Sequence, residues 1–217
     1  MARDFRRELA GDRFWDRRTQ RIFEACGEPR DDCALQCREE VIALCEWIEA
    51  TGVRSFLEVG IWTGRLTRIL HRLFAFDRVA ACDQGYAETL GLPLAVPSEA
   101  RFLRADSESE AYRAFREALG PIDLVLIDAN HAYHAVRRDF EVERAFPQRF
   151  VAFHDIAGAS RHTVGVAKLW REIDHGHRAE IRRPNAALRE SRPSMGIGLW
   201  SASEDPARGP AQSVPFG

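Results

Sequence analysis

The sequence lacks a long hydrophobic run. No stretch of its 217 residues approaches the roughly 20 consecutive apolar residues that a membrane span requires. Its N-terminus, Met1-Ala-Arg-Asp-Phe-Arg-Arg-Glu, is charged and lacks the apolar centre of a secretion signal. We therefore expect a cytoplasmic protein without a membrane partner.

Lysine is almost absent. Lys168 is the single lysine among 31 basic residues, so the other thirty are arginines, and they are scattered among 33 acidic residues to give a net charge of -2. A nucleic-acid-binding surface normally shows a basic stripe that is free of carboxylates. We favour the codon usage of a GC-rich genome as the explanation and expect no nucleic acid partner.

The cysteines form no disulfide framework. Their number is five, which is odd, and no paired C-x-x-C spacing is present. Cys33 and Cys37 are one helical turn apart, which raises the alternative of a zinc or iron–sulfur site. Cys37 and Cys45 fall on the apolar face of a predicted helix, which favours small buried core residues instead.

The remaining composition is that of a globular domain, with 45% hydrophobic and 29% charged residues. Strand and helix patterns alternate, and we expect a Rossmann-like doubly wound α/β fold with a seven-stranded, mostly parallel sheet and helices on both faces. The predicted domains are an N-terminal helical extension (1–31), the main domain (32–200) and a disordered tail (201–217). Asp31 and Asp32 are candidate caps for a first long helix, which runs to about Ala50. The predicted strands are 55–59, 78–83, 101–106, 122–128, 150–153 and two more within 178–200.

Acidic residues follow the predicted strands. Glu58, Asp83, Asp106 and Asp128 close four of them, and Asp155 lies one residue past a fifth. Ligands of open parallel sheets bind beyond the carboxyl ends of the strands. These residues are therefore the first candidates for a functional site.

The turn from Gly60 to Gly64 reads G-x-x-x-G, and Glu58 precedes it. Glycines allow a ligand to approach the backbone, and the next helix offers free N–H groups. A glutamate here would repel a pyrophosphate but suit an ammonium or sulfonium group. Asp83 lies where an acid binds ribose hydroxyls in nucleotide-binding sheets. Asp106, followed by Ser107, could receive the amine of an adenine.

Together these motifs resemble the class I S-adenosylmethionine-dependent methyltransferases over about residues 40–200. A narrower resemblance is to a subgroup with many small-molecule O-methyltransferases. It rests on three stretches, which read Asp128-Ala-Asn-His131-Ala-Tyr133, His154-Asp155 and Gly165-Val-Ala-Lys-Leu-Trp170.

The resemblance implies methyl transfer from S-adenosylmethionine to a small-molecule acceptor, most simply a hydroxyl. Trp62 would be either a wall of the cofactor site or a packing residue. The cofactor-binding residues that the resemblance implies are Glu58, Gly60, Trp62, Thr63, Gly64, Asp83, Gln84, Asp106, Ser107 and Asp128.

Some members of this subgroup hold a divalent cation after the fourth and fifth strands. The resemblance implies that the ligands of Mg²⁺ or another divalent cation would be Asp128, His154 and Asp155. The imidazole and Asn130 shift the donor set away from oxygen alone, which favours a softer metal. Without a metal, His131 or His154 would be the general base. The alternative roles are a helix cap for His131 and a loop brace for His154.

Other functions remain alternatives. They are a catalytically silent scaffold of the same fold, an NAD-dependent oxidoreductase and an RNA methyltransferase. The missing middle glycine of G-x-G-x-x-G disfavours the oxidoreductase, and the absence of an N-P-P-Y-like motif disfavours a nucleic acid substrate. A homo-oligomer is compatible with the sequence, which does not identify the acceptor.

Overall fold

The computed structural model describes residues 3–158, 163–185 and 195–202. One seven-stranded sheet has the order β3-β2-β1-β4-β5-β7-β6. The first five strands run parallel, whereas β7 pairs antiparallel with β5 and with β6. The predicted doubly wound, mostly parallel sheet is thus confirmed. None of the helices in the described ranges has the length and apolar character of a membrane span.

The strands and helices alternate along most of the chain. The strands are β1 (Ser55–Val59), β2 (Arg78–Asp83), β3 (Arg101–Arg104), β4 (Ile122–Ile127), β5 (Gln148–His154), β6 (His177–Ile181) and β7 (Ile197–Ser201). The helices are α1 (Phe5–Glu8), α2 (Arg17–Cys26), α3 (Arg38–Thr51), α4 (Arg65–Phe74), α5 (Tyr86–Thr89), α6 (Glu110–Leu119), α7 (Tyr133–Arg144) and α8 (Val164–Glu172).

Two hydrophobic clusters cover the two faces of the sheet. Successive strand residues point to opposite faces, so Phe56 joins one cluster and Leu57 the other. Helices α3 and α4 contribute to the first cluster, and α6, α7 and α8 to the second. Because β1 and β4 are covered on both sides, their residues form nearly continuous apolar runs.

The N-terminal segment packs into the main domain. Phe5, Leu9 and Phe14 are buried in the same cluster as the first face of the sheet. The predicted start of the first long helix is wrong, because α3 begins at Arg38 after Cys37. Asp31 and Asp32, the predicted caps, bond the guanidinium groups of Arg13 and Arg65 respectively, so residues 28–37 remain an irregular connection.

Several predicted ends shift by a few residues. Strand β3 ends at Arg104 and β4 at Ile127, which places Asp106 and Asp128 in the following loops. Strand β7 extends to Ser201, a residue predicted to begin the disordered tail. Residues 203–217, the rest of that predicted tail, lie outside the described residues.

The chain reverses its strand order between β1 and β4, and Gly60 lies at this point. Gly60 N donates to Cys82 O at 2.8 Å, and Asp128 N donates to Val59 O at 2.8 Å. At Gly60 φ is +82°, and a Cβ atom there would lie 2.3 Å from Ala129 Cα. Only glycine permits the three strand ends to approach one another this closely.

We therefore expect Gly60→Ala to destabilise the fold more than Gly52→Ala. Gly52 also has a positive φ, +62°, but a Cβ atom there meets nothing within 4 Å. In both variants the new alanine must adopt the left-handed conformation, which costs about 1–2 kcal/mol. The Gly60→Ala variant has an additional steric cost of about 1–3 kcal/mol. Urea unfolding measures both free energies, and equal losses would contradict the steric argument.

Candidate active site

A cavity of about 1310 Å³ opens at the carboxyl ends of the strands. It exceeds the roughly 300–1,000 Å³ typical of a pocket for one small ligand, so two small molecules can share it. The N-terminal segment forms the wall opposite the strand ends. The predicted site residues that line the cavity are Gly60, Trp62, Asp83, Gln84, Ser107, Asp128, His131, His154 and Asp155.

Asp83 holds the turn that follows β1. One carboxylate oxygen accepts hydrogen bonds from Ile61 N at 2.9 Å and Trp62 N at 3.3 Å. The other oxygen accepts one from Gly85 N at 2.5 Å. A carboxylate has about four acceptor positions, so Asp83 retains one for a ligand in the cavity.

Trp62 forms part of the cavity wall, as the first of its two predicted roles requires. Its backbone has a φ of +55°, an uncommon conformation for a non-glycine residue. Its ring centroid lies 6.0 Å from that of Tyr86. The turn thus presents two aromatic rings beside Asp83.

Asp106 does not line the cavity, contrary to its predicted contact with an adenine. Its carboxylate accepts hydrogen bonds from Gln84 Nε2 at 3.1 Å and from Glu108 N at 2.8 Å. Gln84 and Ser107 do line the cavity. At the end of β3, the neighbours of Asp106 thus provide the polar surface of the cavity.

Glu58 also lies outside the cavity wall. It is 1% exposed and accepts a hydrogen bond from Thr67 Oγ1 on α4. Burial raises the pKa of the Glu58 carboxyl to about 8, against the opposing effect of the Thr67 hydrogen bond. As a neutral acid, Glu58 supports the turn through its bond to α4. It therefore offers no negative charge to a ligand. Thr63 and Gly64 likewise do not line the cavity.

The carboxylate of Asp128 connects the two histidines of the site. His131 Nε2 lies 3.1 Å from Asp128 Oδ1, and His154 Nδ1 lies 3.2 Å from the same oxygen. His154 is buried, whereas the His131 side chain retains 24% exposure. His131 is therefore the more accessible base.

Asp155 completes this cluster at the end of β5. One of its oxygens lies 3.7 Å from His131 Nδ1 and 3.7 Å from His154 Nδ1. Its φ is +66°, and such strain at the end of a strand is common where function fixes a side chain. Asp155 thus lies at the ring nitrogen of His131 that Asp128 does not contact, whereas both carboxylates approach the same nitrogen of His154.

The charges of this cluster shift its pKa values in different directions. Burial opposes protonation of His154, but the charges of Asp128 and Asp155 outweigh it and raise the pKa of His154 to about 10. Burial likewise opposes protonation of His131, whose pKa is raised by Asp128. Burial alone would raise the pKa of Asp128, yet both histidines hold it below its usual range. Burial raises the pKa of Asp155.

Asp128, His131 and Asp155 form a candidate metal site. Each offers one ligand atom, and these atoms lie within 4.8 Å of one another. It is the one such group of three or more that the described residues form. His131 takes the place in this group that was predicted for His154, which also lines the cavity but is 2% exposed.

The cysteines take no part in such a group within the described ranges. Cys33, Cys37, Cys45 and Cys82 are buried. Burial raises the pKa of the Cys33 thiol to about 11 and those of Cys45 and Cys82 to about 12. They match the predicted small core residues.

Sequence reasoning missed Gln36, which ends a stretch of residues 13–36 that we call the cap segment. Its two ends pair, with Ala34 N donating to Arg13 O at 3.0 Å and Trp15 N to Gln36 O at 3.1 Å. Gln36 Nε2 donates to Asp128 Oδ2 at 2.6 Å across 92 residues of sequence. No local pattern in the sequence signals a contact of this range.

A family model and several solved structures agree with the predicted fold. Residues 57–156 match the model of a family described as a methyltransferase domain. This match covers the centre of the chain, from β1 to the residues just after β5, and agrees with the predicted class. Among curated proteins, none matches the chain by sequence.

Solved structures share the fold at low sequence identity. The O-methyltransferase TomG of Streptomyces achromogenes, involved in tomaymycin synthesis and solved with SAM, is 13% identical, with a TM-score of 0.54 over 86% of this chain and 88% of that one. An O-methyltransferase of Bacillus cereus, solved with SAH, is 15% identical, with a TM-score of 0.54 over 93% of this chain and 92% of that one.

The raised pKa of Glu58 predicts a pH-dependent stability that Glu58→Gln removes. The unfolded carboxyl titrates near 4.5 and the native one at about 8. Between these values the native state holds the extra proton, so the wild type loses up to about 1.4 kcal/mol per pH unit relative to the variant as pH rises. Urea unfolding at pH 5, 6.5 and 8 measures the difference.

The matched control for this series is Glu117→Gln, which changes an exposed carboxyl on α6. Its stability should stay parallel to that of the wild type across the same pH range. If the Glu58→Gln series also stays parallel, Glu58 is ionised in the native protein and our account of its role is wrong.

Proposed function

We propose that the protein transfers a methyl group from S-adenosylmethionine to a hydroxyl of a small-molecule acceptor. The observation that carries this proposal is that one cavity joins the Asp83 turn to the Asp128–His131 cluster. A donor site and a proton-accepting site are thereby open to each other. The shared fold of solved O-methyltransferases supports oxygen as the acceptor atom.

The residues around Asp83 fit the adenosine part of this donor. Its free acceptor position suits a ribose hydroxyl, and Gln84 and Ser107 offer polar groups further along the cavity. Trp62 and Tyr86 supply apolar surface beside them. When bound, S-adenosylmethionine supplies a methyl group that its positively charged sulfur already activates.

The chain itself has three tasks, which are to align the acceptor, to exclude water and to take its proton. The acceptor oxygen bonds to the methyl carbon as the bond from that carbon to sulfur breaks. The hydroxyl proton passes to His131, which lines the cavity. Asp128 and Asp155 stabilise the resulting imidazolium, and His154 positions Asp128.

A divalent cation is a further candidate component. Asp128, His131 and Asp155 would hold it, and this mixed nitrogen and oxygen donor set suits Mn²⁺ or Zn²⁺ better than Mg²⁺. When bound, such a cation lowers the pKa of a coordinated hydroxyl. His131 then orients the site as a ligand and no longer acts as the base.

The remaining expectations follow from this activity. We propose a small molecule as the partner and the cytoplasm as the location. A homo-oligomer remains compatible with the sequence, and nothing in the geometry favours a nucleic acid as acceptor.

The donor site is tested by Asp83→Asn. The amide keeps the shape but loses the charge that accepts three backbone hydrogen bonds, and each bond to a charged group contributes about 1.5–3 kcal/mol. We expect the variant to bind S-adenosylhomocysteine at least about tenfold more weakly than the wild type, as measured by calorimetric titration.

Asp77→Asn is the matched control for this titration, because Asp77 pairs with Arg54 on the surface just before β2 begins. It should bind S-adenosylhomocysteine as the wild type does. If a folded wild type binds neither this product nor S-adenosylmethionine, the proposed activity is wrong, and the scaffold alternative replaces it.

The base is tested by His131→Asn. We expect methyl transfer from labelled S-adenosylmethionine to a panel of phenols and sugars to fall by about 10²–10⁴-fold, while donor binding stays unchanged. His134→Asn, at an exposed position in the first turn of α7, just after His131, is the control. Assays with a chelator and with added Mn²⁺ separate the two roles of His131, since only a metal ligand makes activity depend on the cation. Full activity of the variant would exclude His131 from both roles.

A further inference from the structure

Asp139 is a buried carboxyl group in the middle of α7. It is 3% exposed. Among the described residues, neither of its side-chain oxygens has a hydrogen-bond partner with ordinary geometry. Buried polar groups in native proteins are nearly always paired, and the exceptions often have a functional reason. The Asp139 carboxyl therefore needs an explanation other than stability.

Charged and titratable groups face Asp139 from several elements. They are Cys82 on β2, Asp106 after β3, and Arg138 and Glu143 on α7. Burial is the largest cause that raises the pKa of Asp139 to about 6, and Asp106 and Glu143 act in the same direction. The Ser107 hydroxyl and Arg138 oppose this rise. Asp139 thus changes its charge at a pH at which the folded protein can be assayed.

The charged neighbours of Asp139 are bonded elsewhere. Glu143 accepts hydrogen bonds from two residues of α6, Tyr112 Oη at 2.5 Å and Arg116 Nε at 2.8 Å. Arg138 pairs with Glu108. These contacts occupy the groups that would otherwise pair with the buried acid.

Ser107 differs from these neighbours because its hydroxyl can donate directly to Asp139. The hydroxyl is close enough to favour the ionised carboxyl by hydrogen bonding, though it lies outside ordinary hydrogen-bond geometry. A modest shift of the Ser107 side chain completes this bond. Ser107 is therefore the natural partner of Asp139.

Asp139 lies behind one part of the cavity wall. Ser107 and Cys82 line the cavity, whereas Asp139 does not. The charge of Asp139 raises the pKa of the Cys82 thiol, which shows that the two groups are close. Asp106, the predicted acceptor for an adenine amine, is absent from this wall. Ser107 is thus the polar side chain through which Asp139 can act on a ligand.

We propose that Asp139 is a positioning residue that fixes the hydroxyl proton of Ser107 and so selects the amine of the donor's adenine. This inference rests on the proposed methyl donor. A serine hydroxyl has one proton and two lone pairs. When Ser107 gives its proton to ionised Asp139, only its lone pairs face the cavity, and they accept a hydrogen bond from the amine. When Asp139 is protonated, it no longer holds the Ser107 proton, and this selection is lost.

The test compares S-adenosylhomocysteine with its 6-deamino analogue, which has a hydrogen in place of the exocyclic amine. At pH 8 we expect the wild type to bind S-adenosylhomocysteine at least about tenfold more tightly, as measured by calorimetric titration. This preference should fall at least about threefold by pH 5, because the ionised form of Asp139 is lost as the pH falls through its pKa. The ratio of the two affinities removes the effect of other groups that titrate near the cavity, since both ligands meet them alike.

Variants separate this role from a structural one. Asp139→Asn cannot ionise, so its preference should be the same at pH 5 and pH 8. Ser107→Ala lacks the hydroxyl and should show no preference at either pH. Glu141→Gln changes an exposed carboxyl on the same helix and is the matched control, which should keep the pH dependence of the wild type.

The wild-type comparison needs no folded variant. A preference that is absent at pH 8, or that stays constant from pH 5 to pH 8, would overturn the proposal. A pH-dependent preference in Asp139→Asn would also overturn it, as would any preference in Ser107→Ala, because another group would then bind the amine. Failure of the wild type to bind S-adenosylhomocysteine is a separate result, which overturns the proposed function itself.

Discussion

The backbone hydrogen bonds that join the ends of β1, β2 and β4 determine the geometry of the whole site. Gly60 is bonded to β2 on one side, and Asp128 N is bonded to Val59 on the other. The strand order reverses here, so the two connections leave in opposite directions and open a crevice. The Asp83 turn and the Asp128 loop are consequently fixed relative to each other by the sheet.

This constraint separates two kinds of acidic residue that look alike in the sequence. Glu58 lies one residue before the end of β1 and Asp83 ends β2, yet Glu58 bonds a residue of α4 whereas Asp83 lines the crevice. Burial without a cation keeps Glu58 neutral at moderate pH, whereas Asp83 accepts hydrogen bonds from three backbone N–H groups. The two acids therefore have different tasks, since one supports the turn and the other shapes it and faces the ligand.

The sequence predicted those parts of the molecule that depend on local patterns. β1 and β2 matched residue for residue, because apolar runs between turn residues define them well. The start of α3 was wrong, because Asp31 and Asp32 resemble helix caps but pair with arginines. The contact of Gln36 with Asp128 could not be predicted either, since the two residues are distant in sequence and Gln36 belongs to no motif.

The cap segment has one more consequence, which concerns the order of assembly. It is synthesised before the strands of the sheet, yet Gln36 can only meet Asp128 after β4 has been synthesised. The side chain of Asn185, later still, donates to Trp15 O at 3.1 Å. Contacts between such distant parts of a chain form late, because a long loop must close before they contribute. The cap segment thus precedes the sheet in synthesis but follows it in folding, and the crevice is covered only after the sheet has formed.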